Sequence, residues 1–348
     1  MAYTTINKST DYFNTKLYTG NGVSGTGITG VGFKPDWLWT KERSSTSSHT
    51  STDVVRGANV SINQNSNGAQ ATETQSIISF DTDGFTVGSG GGVNQSSQTY
   101  VGWSWLAGGN QGSSNTDGDI TSTVSANTTS GFSIVKYTGN GSASNIGHGL
   151  GSALKTIIIK KTSGSADWLV GHNSLHSTLP WKYGINLNNT DARHESGSYF
   201  ADTAPTASVF RVEANDEVNT SGQTYIAYCF AEKKGFSKFG SYTGNGNNDG
   251  SFIYTGYAPA FIMIKRTDSA GGWYMFDSKR PGYNPDASRL LANGTDTDAG
   301  TGYLDINSNG FKLRHNAADY NGSGNSYIYM AFAEAPLVGS NNVPANAR

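Results

Sequence analysis

YTGNG occurs at residues 18–22, 137–141 and 242–246. Asn-Gly is a strong turn signal, because both residues tolerate the left-handed backbone of a tight turn. Three copies of one turn in a 348-residue chain point to an internal repeat. Reading outward from each copy supports this. Each leads to a strand-like run ending in lysine: WLWTK at Lys41, TIIIK at Lys160 and FIMIK at Lys265. Tyr18 to Lys41, Tyr137 to Lys160 and Tyr242 to Lys265 span the same 23 residues. Eight residues beyond the lysines stand His49, Trp168 and Trp273. Twelve beyond stand Asp53, His172 and Asp277, and the two aspartates are followed by Arg56 and Arg280.

The far ends repeat as well. TYVGWSWLA begins at Thr99, TYIAYCFAE at Thr224 and SYIYMAFAE at Ser326. A repeat of roughly 100 residues exceeds a propeller blade or solenoid unit and matches a β-sandwich domain. The runs are short, bounded by Gly, Asn, Ser, Asp or Pro, and lack a sustained helical period. The fold class expected is therefore all-β: three tandem β-sandwich domains of jelly-roll or concanavalin-like type, with almost no helix. An up-and-down barrel is the second choice. The expected division is an arm at 1–12, repeats at 13–107, 131–233 and 234–335, a flexible Gly/Ser/Asn/Thr linker at 108–130, and an arm at 336–348. TIIIK and YIAYCFAE are apolar on both alternating faces, which fits strands covered on both sides or touching a neighbouring domain.

Composition narrows the class. Charged residues are 14% and the net charge is −2, so no basic field awaits nucleic acid. Aromatics at 11% argue against disorder. Cys229 is the one cysteine, in an apolar run, and reads as a small buried hydrophobe. No run approaches the ~18 apolar residues of a membrane span. The start of the chain has no Sec-type signal pattern.

Catalytic templates fail one after another. There is no G-x-S-x-G, P-loop or H-E-x-x-H. His172 and His176 lack further ligands for zinc. Asp81 with Asp83 and Asp296 with Asp298 are the carboxylate pairs a glycosidase would need, yet both read more simply as turn residues. A calcium turn at DTDG is a further alternative. GSGGGV precedes a strand rather than a helix and so makes no phosphate cradle. Candidate ligand-binding residues are Trp168 and Trp273, as sugar-stacking rings or as core, and Arg56 and Arg280, as ligand forks or as loop-fixing salt bridges. Any binding surface belongs in the variable middles at 44–58, 172–184 and 277–289.

Taken together, MAYTTINKSTDYFNTKLYTGNG, ITGVGFKPDWLWTKER, TYIAYCFAEKKGFSKFGSYTGNG and YIYMAFAEAPLVGSNNVPANAR resemble a family of marine bacteriophage virion structural proteins, described as tail-fibre-like or uncharacterised. The resemblance covers nearly the whole chain. It implies a virion location, assembly in the host cytoplasm and a concanavalin-like sandwich; it implies no active site. The expected function is a non-enzymatic tail fibre or similar appendage that contacts the host. Alternatives are a capsid decoration or knob, a glycan-binding lectin-like module and, last, a polysaccharide depolymerase. Expected partners are other virion proteins, copies of itself with a trimer favoured, and a host surface glycan. No cofactor, metal, nucleic acid or membrane insertion is expected. A rival to the trimer has the three repeats packing as a pseudo-trimer inside one chain.

Overall fold

The computed structural model describes residues 4–338, apart from Ala287 and Thr301. The protein is all-β and its sheets are antiparallel. Helix among the described residues is limited to one turn at Gly91–Asn94 and two 3-10 turns, Ser9–Asp11 and Pro180–Lys182. The turn at Gly91–Asn94 corrects the reading of GSGGGV as leading straight into a strand; four residues are too few for a phosphate-binding terminus.

Each repeat builds one large sheet and one small sheet. In the first, the order across the large sheet is Phe13–Thr19, Thr99–Trp105, Trp37–Glu42, Thr50–Asp53, Gly57–Ile62. The second repeats it with Phe132–Thr138, Thr224–Phe230, Thr156–Lys161, Leu169–His172, Tyr183–Asn186. The third has Ser237–Thr243, Ser326–Pro336, Tyr257–Arg266, Trp273–Asp277, Leu290–Leu291. First and last strands of a repeat thus lie side by side, which is why their sequence motifs travel together. The tyrosines pair across them: Tyr18 with Tyr100, Tyr137 with Tyr225, Tyr242 with Tyr327.

Residues 108–130 differ from the expected linker. Ser122–Asn127 pairs along Phe132–Thr138, and Ser113–Asn115 pairs along Ser122–Asn127. The polar composition reflects strands at a solvated edge rather than free coil. Among the described residues, the equivalent edges of the other two repeats have no covering strand. There a side chain caps the mid-edge amide instead: Asn14 Oδ1 accepts from Thr15 N–H at 2.9 Å, and Glu232 Oε2 accepts from Phe239 N–H at 3.2 Å. Such capping blunts an edge against further pairing.

The two-faced strands explain the architecture. Ile157, Ile159, Tyr225, Ala227 and Cys229 face the small sheet of their own repeat and form its core. Ile158, Ile226, Tyr228 and Phe230 face the other way. They join Trp37, Trp103 and Trp105 of the first repeat and Phe261, Met263 and Phe332 of the third in one cluster. The large sheets therefore pack against each other around a common aromatic interior. Phe332 lies 5.7 Å from the rings of both Trp105 and Phe230, its counterparts five residues past the paired tyrosines. Trp37 stacks on Tyr228 at 4.2 Å and on Trp105 at 4.4 Å. The repeats share this core, as the pseudo-trimer picture has it. The N-terminal arm joins in as well, because Ile6 is buried in the shared cluster. Residues 339–348 of the expected C-terminal arm lie outside the described residues.

YTGNG is the corner that closes each sandwich. Its tyrosine stacks on the partner tyrosine at 5.0, 5.2 and 4.9 Å, each at 14°. Its hydroxyl donates to Val93 O, Val218 O or Tyr320 O. The second glycine has a left-handed φ of 73°, 71° or 67°. A Cβ on the first glycine would meet a carbonyl oxygen at 2.2, 2.4 or 2.3 Å, so no other residue fits. A buried asparagine completes each corner: Asn94, Asn219 and Asn321 accept from the backbone N–H of Asn21, Asn140 and Asn245. Asn321 also donates to Asn247 O at 2.8 Å and His315 O at 2.9 Å. Asn321→Ala leaves these buried groups without partners, and the expected loss in urea unfolding is about 2 kcal/mol.

Candidate functional site

The sequence-selected residues converge on the three joints between repeats. At Lys+8, each side chain donates to a backbone carbonyl of the preceding repeat. Trp168 Nε1 donates to Asn63 O at 3.0 Å and Ser66 O at 3.1 Å. Trp273 Nε1 donates to Asn186 O at 2.8 Å. His49 Nε2 lies 2.9 Å from Leu291 O of the third repeat, so the first repeat joins the third and the ring closes. Trp39 Nε1 donates to His49 Nδ1 at 2.8 Å, which leaves the proton on Nε2.

At Lys+12, contacts run to the following repeat. Asp53 accepts from the Tyr228 hydroxyl at 2.9 Å, and Asp277 accepts from Trp103 Nε1 at 3.1 Å. His172 Nε2 lies 3.2 Å from Tyr329 O. The second repeat lacks the Asp/Arg pair, but its histidine keeps the direction of the contact. Asp53 binds Arg56 Nε at 2.5 Å and Asp277 binds Arg280 Nε at 2.6 Å, with the charged groups of both pairs buried. Asp298 adds a bridge across the ring closure, to Arg280 at 2.8 Å and Arg43 at 2.9 Å.

Two of the three repeated lysines reach into the same joints, and the third, Lys41, stays within its own repeat. Lys160 Nζ donates to Asn67 O and Ala166 O, and Lys265 Nζ to Thr190 O and Gly271 O; Asn67 and Thr190 belong to the preceding repeat. Lys41 Nζ holds Glu42 O and Ser45 O. Burial pulls all three ammonium groups down to about 8.

These positions correct the ligand-binding candidates. Trp168 and Trp273 are buried, and their indole N–H groups are engaged inside the joints. No ring face is left for a sugar. The Arg56 and Arg280 guanidiniums are also interior and held by Asp53 and Asp277. The variable middles likewise feed the joints more than the surface, although Leu179 and Tyr283 remain exposed. Sequence reasoning missed the role of His49, which looked like a departure from the tryptophan pattern. The clue was its fixed place at Lys+8.

The Asp81 and Asp83 carboxylates are structural too. Asp83 accepts from Gly30 N–H and Gly32 N–H, and Asp81 accepts from the Ser79 and Thr86 hydroxyls. Burial pushes the Cys229 thiol well up, out of the reactive range. Among the described residues no group of three or more His, Cys, Asp or Glu is placed to hold a metal ion.

The joints shape one notable groove, of about 560 Å³, between repeats two and three. Asn173, Ser174, His176 and Arg193 line one wall; Tyr242, Thr267 and Ser326 line the other. Arg193 is pinned, donating to Leu175 O at 2.6 Å with its guanidinium 5.3 Å over Tyr183. His176 stacks on Tyr183 at 5.0 Å. The polar walls of the groove offer hydrogen-bond donors and acceptors.

One family model spans all three repeats and the joints between them. It is described as a domain of unknown function, DUF7483, and matches residues 8–336. The chain belongs to the DUF7483 family. The match begins before the first sandwich and runs to the end of the last long strand, so this family's unit is the whole ring rather than one repeat. No curated protein and no solved structure matches the chain.

Proposed function

We propose that this DUF7483 protein is a non-enzymatic structural component of a virus particle, a tail fibre or similar surface appendage that meets the host. One observation carries the reading: the polar residues best suited to chemistry are occupied in holding three repeats together. A ring sharing one aromatic core is rigid, which suits a part that must present a surface outside a cell. The resemblance of the sequence to marine bacteriophage virion proteins is the support for that proposed location. Other virion proteins are its proposed neighbours, and a host surface glycan its proposed target.

The threefold arrangement expected from three chains is provided by three repeats of one. We therefore expect light scattering on the purified protein to give the mass of a single chain. A trimeric mass would restore the homotrimer. Labelled antibody on intact particles tests the reading itself: signal on the tail supports it, signal on the head turns it toward a capsid knob, and absence from purified particles sinks both.

A further inference from the structure

We infer that the outer face of the third repeat's small sheet is a glycan-binding platform built on Phe252 and Tyr254. The proposal concerns this surface alone and stands whether or not the protein belongs to a particle.

Phe252–Tyr254 pairs with Gly310–Leu313. Ile253 points inward to the core, so its two neighbours point out. Each is 47% exposed, and they are two of only five large apolar side chains so exposed among the described residues. An exposed large apolar pair is the informative exception on a soluble surface. The internal repeat shows that the fold does not require it. Ile28, Ile146 and Ile253 are equivalent, each opposite a phenylalanine of the neighbouring strand: Phe85, Phe210 and Phe311. Flanking them, the first repeat has Gly27 and Thr29 and the second has Asn145 and Gly147. Only the third repeat places aromatic rings there.

The local geometry suits stacking. A Cβ on Gly310 would sit 3.0 Å from the Phe252 ring, so the ring lies against bare backbone. Residues two apart on a strand are separated by about 7 Å, which sets two rings side by side on one flat surface. Lys238 Nζ lies 5.3 Å from the Tyr254 ring centroid. Hydrogen-bonding groups lie on and beside the neighbouring strands Gly310–Leu313 and Leu304–Asn307, already held in place. Asp249 bridges Lys312 at 2.6 Å and Arg314 at 3.3 Å, and Arg314 reaches Asp305 at 2.5 Å.

Size argues for a sugar over a protein. Two half-exposed rings present roughly 200 Å² of apolar surface. A stable protein partner needs about 800 Å² a side. The charges are nearly balanced, with Lys238, Lys312 and Arg314 against Asp249 and Asp305, so a polyanion gains little. A pyranose ring, with one apolar face and a rim of hydroxyls, fits both the rings and the paired charges.

The test is affinity electrophoresis of the whole protein through gels containing dextran, hydroxyethyl cellulose or alginate. The expected result is retardation by at least one of the two neutral polymers. The variant Phe252→Asn with Tyr254→Thr carries residues that the other repeats use at these positions. It is expected to keep its thermal midpoint and to lose about tenfold or more in affinity, from removal of two stacked faces. Free migration of the wild type in every gel overturns the proposal. Retardation unchanged in the variant, including retardation by alginate alone, also overturns it. So does a wild-type oligomer that the variant dissolves in light scattering, because the patch would then be a contact between copies.

Discussion

Asp277→Ala is expected to lower the unfolding free energy by about 3–5 kcal/mol, the cost of stranding a buried charge. Asp277 Oδ2 accepts from Arg280 Nε at 2.6 Å and Trp103 Nε1 at 3.1 Å. Its other oxygen holds the backbone N–H groups of Lys279 and Arg280. Alanine removes all four acceptor contacts and leaves the guanidinium in the interior. Arg280 keeps Asp298 and Met275 O, which limits the loss but does not replace a partner inside the joint. The same change at an exposed pair is a control: Lys182 and Glu195 are 38% and 53% exposed, and Glu195→Ala should leave the denaturation midpoint nearly unchanged. A second control is Asp277→Leu with Arg280→Met, which removes both charges. It should recover much of the deficit, because a buried pair replaced by apolar side chains is often near neutral. Denaturant unfolding measures all three. A loss below about 1 kcal/mol for Asp277→Ala would show that the ring closure is hydrated and not a source of stability.

The repeat was legible because it is carried by backbone necessity. The YTGNG corners need Gly20, Gly139 and Gly244 against carbonyl oxygens, and Asn94, Asn219 and Asn321 beneath them. The glycine demand recurs in an identical five-residue corner whose tyrosine stands 23 residues before each strand lysine, so it could be read; the asparagines follow the glycines at 74, 80 and 77 residues, and the fold alone brings them together. The two-faced pattern of TIIIK and YIAYCFAE also announced a second covered side, and Ile158 and Tyr228 lie on it. What covered that side was not legible. An apolar face looks the same whether it meets another chain or another repeat. Residues 108–130 passed for a free linker for a different reason, because a polar composition suits a solvated edge strand as well as coil. The site candidates failed for a related reason. Tryptophan and arginine are enriched in binding surfaces and in buried joints alike, because both combine apolar area with directional donors. Only the partners of Trp168, Trp273, Arg56 and Arg280 separate the two roles. Phe252 and Tyr254 were the opposite case: unremarkable in a strand-like sequence, they become conspicuous once aligned with Gly27, Thr29, Asn145 and Gly147.

Acid should loosen two of the three joints through His49 and His172. Burial lowers His49 to about 3 and His172 to about 4, from an unfolded value near 6.5. In each ring Nδ1 already accepts a hydrogen bond, from Trp39 Nε1 or from Ser174 N–H. Protonation there sets two donors head to head. A depressed native value means that the unfolded chain takes up protons first, so stability present above pH 6.5 is lost as pH falls toward 4 and then 3. Each histidine contributes about 1.4 kcal/mol per pH unit across that window. Asp36 and Asp286 act in the opposite sense. Burial raises them to about 6 and about 7, so they add stability as pH falls through those values toward 4. The net profile of the wild type is consequently flatter than either set alone, and the informative quantity is a difference. His49→Gln with His172→Gln retains an N–H donor for Leu291 O and Tyr329 O but cannot be charged. Between pH 7 and pH 4.5 its stability relative to wild type should rise by about 5 kcal/mol, two histidines over two units. Parallel profiles would mean that both rings take up protons in the folded protein as readily as in the unfolded chain, and so are hydrated rather than sealed in the joints.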